Sequence, residues 1–280
     1  MIAAPYRLGA PAVAALFDEY SAVADRKPWT SVGATDWSRL RPEKLTEEHA
    51  SAVAFVTFIE DHLPGYVADY HRIFPVDASV PLDEFVHNRE LYRFVVRWAL
   101  EEDRHAHVLA TYQVRAGLAS ADELRLRLAE EGLKPFSIGY TEPVQVFTYT
   151  LIQEKATQLY YQQLAAAVDE PVLKQILTDL ARDESRHYGF FARLVETYVR
   201  AGGPALLPRI REVLANFRMP LATTLTNYWR WSLRVSDAAG GYDYTDAFAS
   251  LVQVVRRAAD GPAWTGDGEL TTFLAQAGTL

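Results

Sequence analysis

Apolar residues recur along most of this chain every three or four positions, the spacing that lines one face of an α-helix, and strand-like alternation is almost absent. The pattern predicts a first helix over 10–26, with Val13, Leu16, Phe17, Tyr20 and Val23 at helical spacing, and then a connection over 27–42 that carries Trp29 and Trp37. Thr46 is placed as an N-cap, followed by Glu47 and Glu48 where the helix dipole favours acids. Its helix runs through Val53, Val56, Ile59 and Leu63, is kinked at Pro64 and resumes at Tyr66, Val67 and Tyr70. Residues 82–117 form one long proline-free helix whose inward face includes Leu91, Phe94, Val95, Trp98, Leu100, His105 and Leu109. Ser120 with Glu123 caps a short helix ending near Gly132. Glu142-Pro143 opens a helix reaching Val168, and Pro171 opens another that ends at Gly202-Gly203. Three more amphipathic stretches follow, over 208–219, 221–235 and 244–259, with breaks at Gly240-Gly241 and Gly261-Pro262.

Composition narrows this helical picture. The 280 residues carry no cysteine, which excludes disulfides, zinc-thiolate sites, Fe–S clusters and a cysteine nucleophile. A formal net charge of -8 argues against a general nucleic-acid binder. No stretch is apolar over the ~20 residues that a membrane helix needs, and the N-terminus lacks a secretory pattern, so no membrane insertion and a cytoplasmic location are expected. No compositional shift marks a second domain. The expectation is one helical domain over 1–280, with a core bundle at about 46–202 and C-terminal helices 203–280 packed on it.

Two short words carry the chemistry: Glu101-Glu102-Asp103-Arg104-His105 and Asp183-Glu184-Ser185-Arg186-His187. Each contains Glu-x-x-His inside a long helix, where residues three apart share a face. A lone copy is ordinarily a solvated pair. Here both copies lie on apolar faces, beside Val95, Trp98 and Leu109 in one case and Leu177, Leu180, Phe191 and Leu194 in the other. Charged groups there cost several kcal/mol unless paired or metal-bound. Two such pairs, with one Glu from each of two further helices, make the dinuclear carboxylate site of ferritin-like bundles. Glu60 and Glu154 are the candidates for the lone carboxylates, each in the helix preceding a word, and Asp61 competes with Glu60. The order lone Glu, then word, occurs twice, so equivalent ligands come from each half of a pseudo-twofold arrangement. The acids before each Glu are suited to hold the second ring nitrogen of the histidines, Asp183 for His105 and Glu101 for His187; the alternative is a salt bridge to Arg104 or Arg186. His49, His62, His71, His87 and His107 have no partner at ligand spacing and are read as structural or solvent-facing.

Four segments resemble the soluble acyl-carrier-protein desaturases, in their order and with similar spacing. Trp98 to His105 is similar to their Trp-x-x-Glu-Glu-Asn-Arg-His, and Asp183 to His187 to their Asp-Glu-x-Arg-His. Ile59 to Tyr66 resembles their Glu-Glu-x-Leu-Pro-x-Tyr, and Gln153 to Thr157 their Gln-Glu-Arg-Ala-Thr. The resemblance covers about 46–200 and is closest to compact bacterial, especially actinobacterial, members. It implies an all-α, ferritin-like di-iron four-helix core with flanking helices, and a homodimer. It makes Glu60, Glu102, His105, Glu154, Glu184 and His187 the six ligands of two Fe ions, with Mn able to occupy the site in a recombinant preparation. It places Thr157 beside the oxygen-binding face, Trp98 and Asp183 in the surrounding hydrogen bonds, and a tryptophan, Trp29 or else Trp37, on the electron-entry route. The implied reaction is O2-dependent insertion of a cis double bond into an acyl chain on acyl carrier protein, with electrons from ferredoxin. Asp61, Asp103 and Ala106 depart from the family's Glu, Asn and Gly without removing a ligand.

Two other readings compete. One is a diverged di-iron hydroxylase or N-oxidase acting on a different carrier-bound substrate; the other is a ferritin-like metal-binding protein without turnover. An acidic carrier would need a local basic surface, for which Arg39, Arg41 and Lys44, or Arg209, Arg211 and Arg218, or Arg256 and Arg257 are candidates, with the middle group favoured.

Overall fold

The computed structural model describes residues 6–26, 31–260, 264 and 267–277; Trp29 and the Gly261-Pro262 break lie outside the described residues. Among the described residues there is no strand, and eleven α-helices follow one another: α1 (Ala10–Ala24), α2 (Glu47–Asp61), α3 (Leu63–Ile73), α4 (Leu82–Arg115), α5 (Ala121–Gly132), α6 (Pro143–Ala167), α7 (Pro171–Gly202), α8 (Leu207–Asn216), α9 (Tyr228–Ala238), α10 (Asp246–Ala258) and α11 (Gly268–Ala277). The starts follow local chemistry. The Thr46 hydroxyl accepts from His49 N, and the His49 ring answers at Thr46 N, which closes a capping box at α2. Glu170 caps α7 by accepting from Leu173 N at 2.7 Å. The same buried carboxylate accepts from Arg41 N at 2.9 Å and Tyr112 Oη at 3.0 Å, so it also pins the 31–46 connection and α4 to that helix end. Gly203 stops α7 at φ 69, ψ -164, a conformation open essentially to glycine alone.

Two apolar clusters build the core. One joins Leu91–Trp98 of α4, Val144–Ala156 of α6 and Phe190–Val199 of α7, with Tyr66 and Tyr70 of α3. The other joins Val53–Phe58 of α2, Val108–Tyr112 of α4, Tyr160–Ala165 of α6 and Val172–Ala181 of α7. The first halves of α4 and α6 share a cluster with the second half of α7, so α4 and α6 run in one direction and α7 against them. The parallel pair needs a long crossover, which α5 and the 133–142 loop supply. Every expected ligand falls between the two clusters, on the layer where the four chains of apolar contacts are interrupted. Helices α8 and α10 pack on the first cluster through Leu207, Ile210, Leu251 and Val255.

Four expectations change. The chain does not kink through Pro64: α2 stops at Asp61, His62 takes the bridge conformation (φ -76, ψ 5) and α3 restarts at Leu63 with Pro64 in its first turn. The stretch 221–235 is helical only from Tyr228; residues 217–227 turn, with Leu221 and Asn227 left-handed at φ 61 and φ 57. Leu100 faces outward at 45 % exposure. α11, where the sequence pattern gave no helix, packs Phe273 fully into the core.

Candidate metal centre

Glu60 of α2, Glu102 and His105 of α4, Glu154 of α6, and Glu184 and His187 of α7 meet in the layer between the apolar clusters, all buried. The arrangement is two-fold. His105 Nδ1 lies 3.3 Å from Glu102 Oε2, 3.3 Å from Glu184 Oε1 and 3.8 Å from Glu60 Oε2. His187 Nδ1 lies 2.9 Å from Glu102 Oε1, 3.6 Å from Glu184 Oε2 and 3.4 Å from Glu154 Oε2. Glu102 and Glu184 thus offer one oxygen to each histidine, while Glu60 and Glu154 serve one side each. Two overlapping sets, Glu60-Glu102-His105-Glu184 and Glu102-Glu154-Glu184-His187, could each hold a metal ion. Asp61, the competitor of Glu60, is in neither set.

Protons and charges in this layer are unresolved by protein alone. His105 Nδ1, His187 Nδ1, Glu184 Oε1 and both carboxylate oxygens of Glu154 are buried without a hydrogen-bond partner. Burial first, and then the neighbouring Glu102, push the Glu60 carboxyl up to about 8. Burial and Glu184 push Glu154 well above the carboxylate range. Burial opposes charge on both histidines, but Glu102 and Asp183 at His105, and Tyr20 and then Glu102 at His187, outweigh it and hold both rings well above their ordinary value. Orphaned donors of this kind, oxygen-rich with two imidazoles, fit a pair of divalent ions such as iron or manganese.

The outer nitrogens of the histidines are also engaged. His105 Nε2 meets Asp183 Oδ2 at 3.3 Å, and His187 Nε2 meets Glu101 Oε2 at 3.0 Å. Burial works against an ionised Asp183, but His105 and Arg186 outweigh it and hold its carboxyl down at about 2. Arg186 also makes the alternative contact, to Asp183 at 2.6 Å. The structure adds groups that the motifs did not single out. Tyr20 of α1 donates to Glu101 Oε2 at 2.6 Å, and Arg97 approaches Glu101 Oε1 at 3.1 Å. The Tyr161 hydroxyl donates to Glu60. Tyr20 and Tyr161 lie on other helices, 81 and 101 positions from their carboxylates, where no local spacing reveals them; Arg97 stands one turn before Glu101 on α4 itself.

Two spaces adjoin the carboxylates. A small cavity of about 20 Å³ is lined by Glu60, Glu102, Glu154 and Glu184 together with Ile59, Leu63, Tyr66, Trp98, Gln153 and Thr157. A chamber of about 250 Å³ lies between α2, α6 and α9, walled mainly by Phe55, Val56, Tyr160, Tyr161, Tyr228 and Val235. Ile59 and Thr157 line both, so they form the partition. Met219 belongs to the chamber and to two surface hollows roofed by 217–227, and so stands at its mouth. Trp37 is far from this centre: it stacks on Arg115, at the end of α4, and its Nε1 donates to Val32 O. The favoured basic group is largely spoken for, since Arg209 pairs with Glu142 at 3.0 Å and Arg211 with Glu269 at 3.2 Å; Arg218 remains at the mouth. His62 and His87 are buried, and His87 bonds Asn88 and Tyr198.

A family model described as fatty acid desaturase matches residues 23–258. The chain belongs to the fatty acid desaturase family. It is 25 % identical over 215 residues to a Mycobacterium tuberculosis protein named acyl-[acyl-carrier-protein] desaturase DesA1, a match covering 72 % of this chain and 59 % of that one. It is 28 % identical over 164 residues to the chloroplastic stearoyl-[acyl-carrier-protein] 9-desaturase 6 of Arabidopsis thaliana, covering 56 % of this chain and 40 % of that one. The chain therefore spans less than two thirds of the length of these relatives. The X-ray structure of the acyl-ACP desaturase DesA2 from Mycobacterium tuberculosis superposes with a TM-score of 0.64 at 18 % identity, covering 94 % of this chain and 96 % of that one. The architecture of this desaturase-family chain is accordingly the ferritin-like helical one.

Proposed function

We propose that this chain is a di-iron, O2-dependent desaturase that inserts a cis double bond into an acyl chain held on acyl carrier protein. The observation that carries the proposal is the two-fold set of six buried donors sharing a partition, Ile59 and Thr157, with an apolar chamber. Glu60, Glu102, His105, Glu154, Glu184 and His187 would hold the two irons. When bound, two irons and O2 supply an oxidant able to take hydrogen from an unactivated C–H bond. Asp183 and Glu101 fix the ring orientation of His105 and His187. The Thr157 hydroxyl sits where the chamber meets the carboxylates and is placed to pass protons there. Burial of Trp98 and Tyr66 keeps bulk water from the small cavity. The chain loses two hydrogens; with two electrons from ferredoxin and two protons, O2 is reduced to two waters.

The carrier's thioester arm would enter beneath residues 217–227, past Met219, with Arg218 facing the acidic carrier. The proposal places the reaction in the cytoplasm; no helix among the described residues is long and apolar enough to cross a membrane. α4 exposes Leu82 with Val86 and Val96 with Leu100, each pair one turn apart, and Val114 further along, on a seam that also carries the exposed Arg93, Asp103 and His107. We assign this seam to a homodimer contact, and a monomer in sedimentation equilibrium at micromolar concentration would remove it. The reaction is tested by incubating the iron-loaded protein with acyl carrier protein thioesters, ferredoxin, a reductase and O2, and weighing the acyl product. Loss of two hydrogens is expected. Gain of one oxygen would make the chain a hydroxylase or N-oxidase instead, and an unaltered substrate across a full set of chain lengths would leave only metal binding.

A further inference from the structure

The small cavity beside the carboxylates holds a feature that the ligand set does not account for. Besides the ligand carboxylates of Glu154 and Glu184, three of its lining residues bury a polar atom without a partner: the Tyr66 hydroxyl, the Trp98 indole N–H and Gln153 Oε1. Tyr66 is 4 % exposed and Trp98 2 %. A buried polar atom left unsatisfied costs about 1–3 kcal/mol, so such atoms ordinarily have a ligand or a water. Two donors and one acceptor around about 20 Å³ suit one water-sized group that accepts two hydrogen bonds and donates one.

The Tyr66 hydroxyl is also held in place. Its ring stacks on Phe136 at 4.0 Å and meets the edge of Trp98 at 6.5 Å. The stack depends on Gly65, where a Cβ would lie 3.0 Å from Phe136 Cβ and from the His62 ring. The restart of the chain at Leu63, after the break at His62, sets the register that brings Tyr66 to the cavity. The neighbouring Tyr70 is the useful contrast: it too packs on Trp98, at 5.6 Å, but its hydroxyl is satisfied by Thr150 at 2.7 Å and it does not line the cavity.

We infer that Tyr66, with Trp98, is a hydrogen-bond donor to a water-sized oxygen ligand held in this cavity against the metal centre. The inference rests on the metal centre proposed above. It makes Tyr66 a positioning residue for that ligand, separate from the acyl chain, which the larger chamber takes on the far side of Ile59 and Thr157.

The test uses fluoride, a water-sized acceptor that cannot itself donate, titrated into the iron-loaded protein and followed by visible absorption. Tyr66→Phe removes the donor without changing the ring, and is expected to weaken fluoride binding about tenfold, the factor set by one hydrogen bond of ~1.4 kcal/mol. Tyr70→Phe, which also removes a buried hydroxyl beside Trp98, is expected to bind fluoride as the wild type does. Iron content and melting temperature monitor both variants for a merely structural effect. Equal affinity in wild type and Tyr66→Phe, equal weakening by Tyr70→Phe, or a wild type that holds two irons but binds no fluoride would each overturn the inference. A wild type that holds no iron would instead bring down the metal centre, and this inference with it.

Discussion

At the scale of single residues, the centre is a set of charges that the protein cannot satisfy internally. Glu60 shows the consequence. Its carboxyl is raised from 4.5 to about 8 by burial and by Glu102, so protonation stabilises the folded chain fully below about 4.5, and that stabilisation is lost as pH rises through about 8. Glu154, His105 and His187 are raised too and act in the same direction, whereas Glu102, Glu101 and Asp183 are lowered and already ionised near neutrality. The metal-free protein is therefore expected to melt at a falling temperature from about pH 6 to about pH 9. Fe(II) or Mn(II) replaces those protons, releases them on binding and is expected to flatten the decline, with Ca²⁺ doing little. Differential scanning calorimetry across that range checks this; a metal-free profile that is level or rising would refute it. The convergence of Glu102, His105, Glu184 and His187 was legible in the sequence because Glu-x-x-His matches one turn of a helix, and so were the contacts of Asp183 with His105 and of Glu101 with His187. Tyr20 and Tyr161 were not, because each meets its carboxylate across the fold, 81 and 101 positions away. Tyr66 lay within a quoted motif, but nothing in its spacing shows that its hydroxyl lacks a partner.

At the scale of elements, helix starts and stops followed the caps closely, and the misses have physical reasons. Pro64 could sit in a bent helix or in the first turn of a new one, and the apolar pattern is the same for both; the bridge conformation at His62 decides it. In 217–227 the amphipathic pattern continues, but Leu221 and Asn227 take left-handed conformations and Phe217, Leu221 and Leu225 bury themselves in a turning segment. Tertiary burial there overrides helical periodicity. The end of α7 gives an element-level prediction. Gly203 has φ 69 and ψ -164, and no side chain blocks a Cβ there, so the cost of substitution is conformational alone. Gly203→Ala is expected to lower stability by about 1–3 kcal/mol in urea unfolding, with iron content unchanged. A loss below about 0.3 kcal/mol would mean that the α7–α8 junction is not held as described.

At the scale of the molecule, the all-helical class and the duplicated arrangement of two lone carboxylates and two words could be read from the chain. The charged layer between two apolar clusters, and the parallel run of α4 and α6, could not, because they depend on which halves of the helices meet. Nor could the chamber, since its walls come from α2, α6 and α9, and α9 lies outside the segments that carry the family resemblance. The chamber makes its own prediction. Ser232 lines both the chamber and one of the hollows at its mouth. Ser232→Phe is expected to lower turnover of acyl thioesters about tenfold or more, a barrier change of ~1.4 kcal/mol or above, while leaving the iron in place. Unchanged turnover would send the acyl chain by another route.

The claim on which the rest depends is that six side chains from four helices hold two metal ions, with Glu102 and Glu184 shared between them. Anomalous diffraction at the iron edge from crystals of the iron-loaded protein tests it most directly. The account predicts two peaks per chain, one beside Nδ1 of His105 and Glu60, the other beside Nδ1 of His187 and Glu154, with the Glu102 and Glu184 carboxylates between them. A single peak, or peaks away from these six residues in a fully loaded protein, would contradict it.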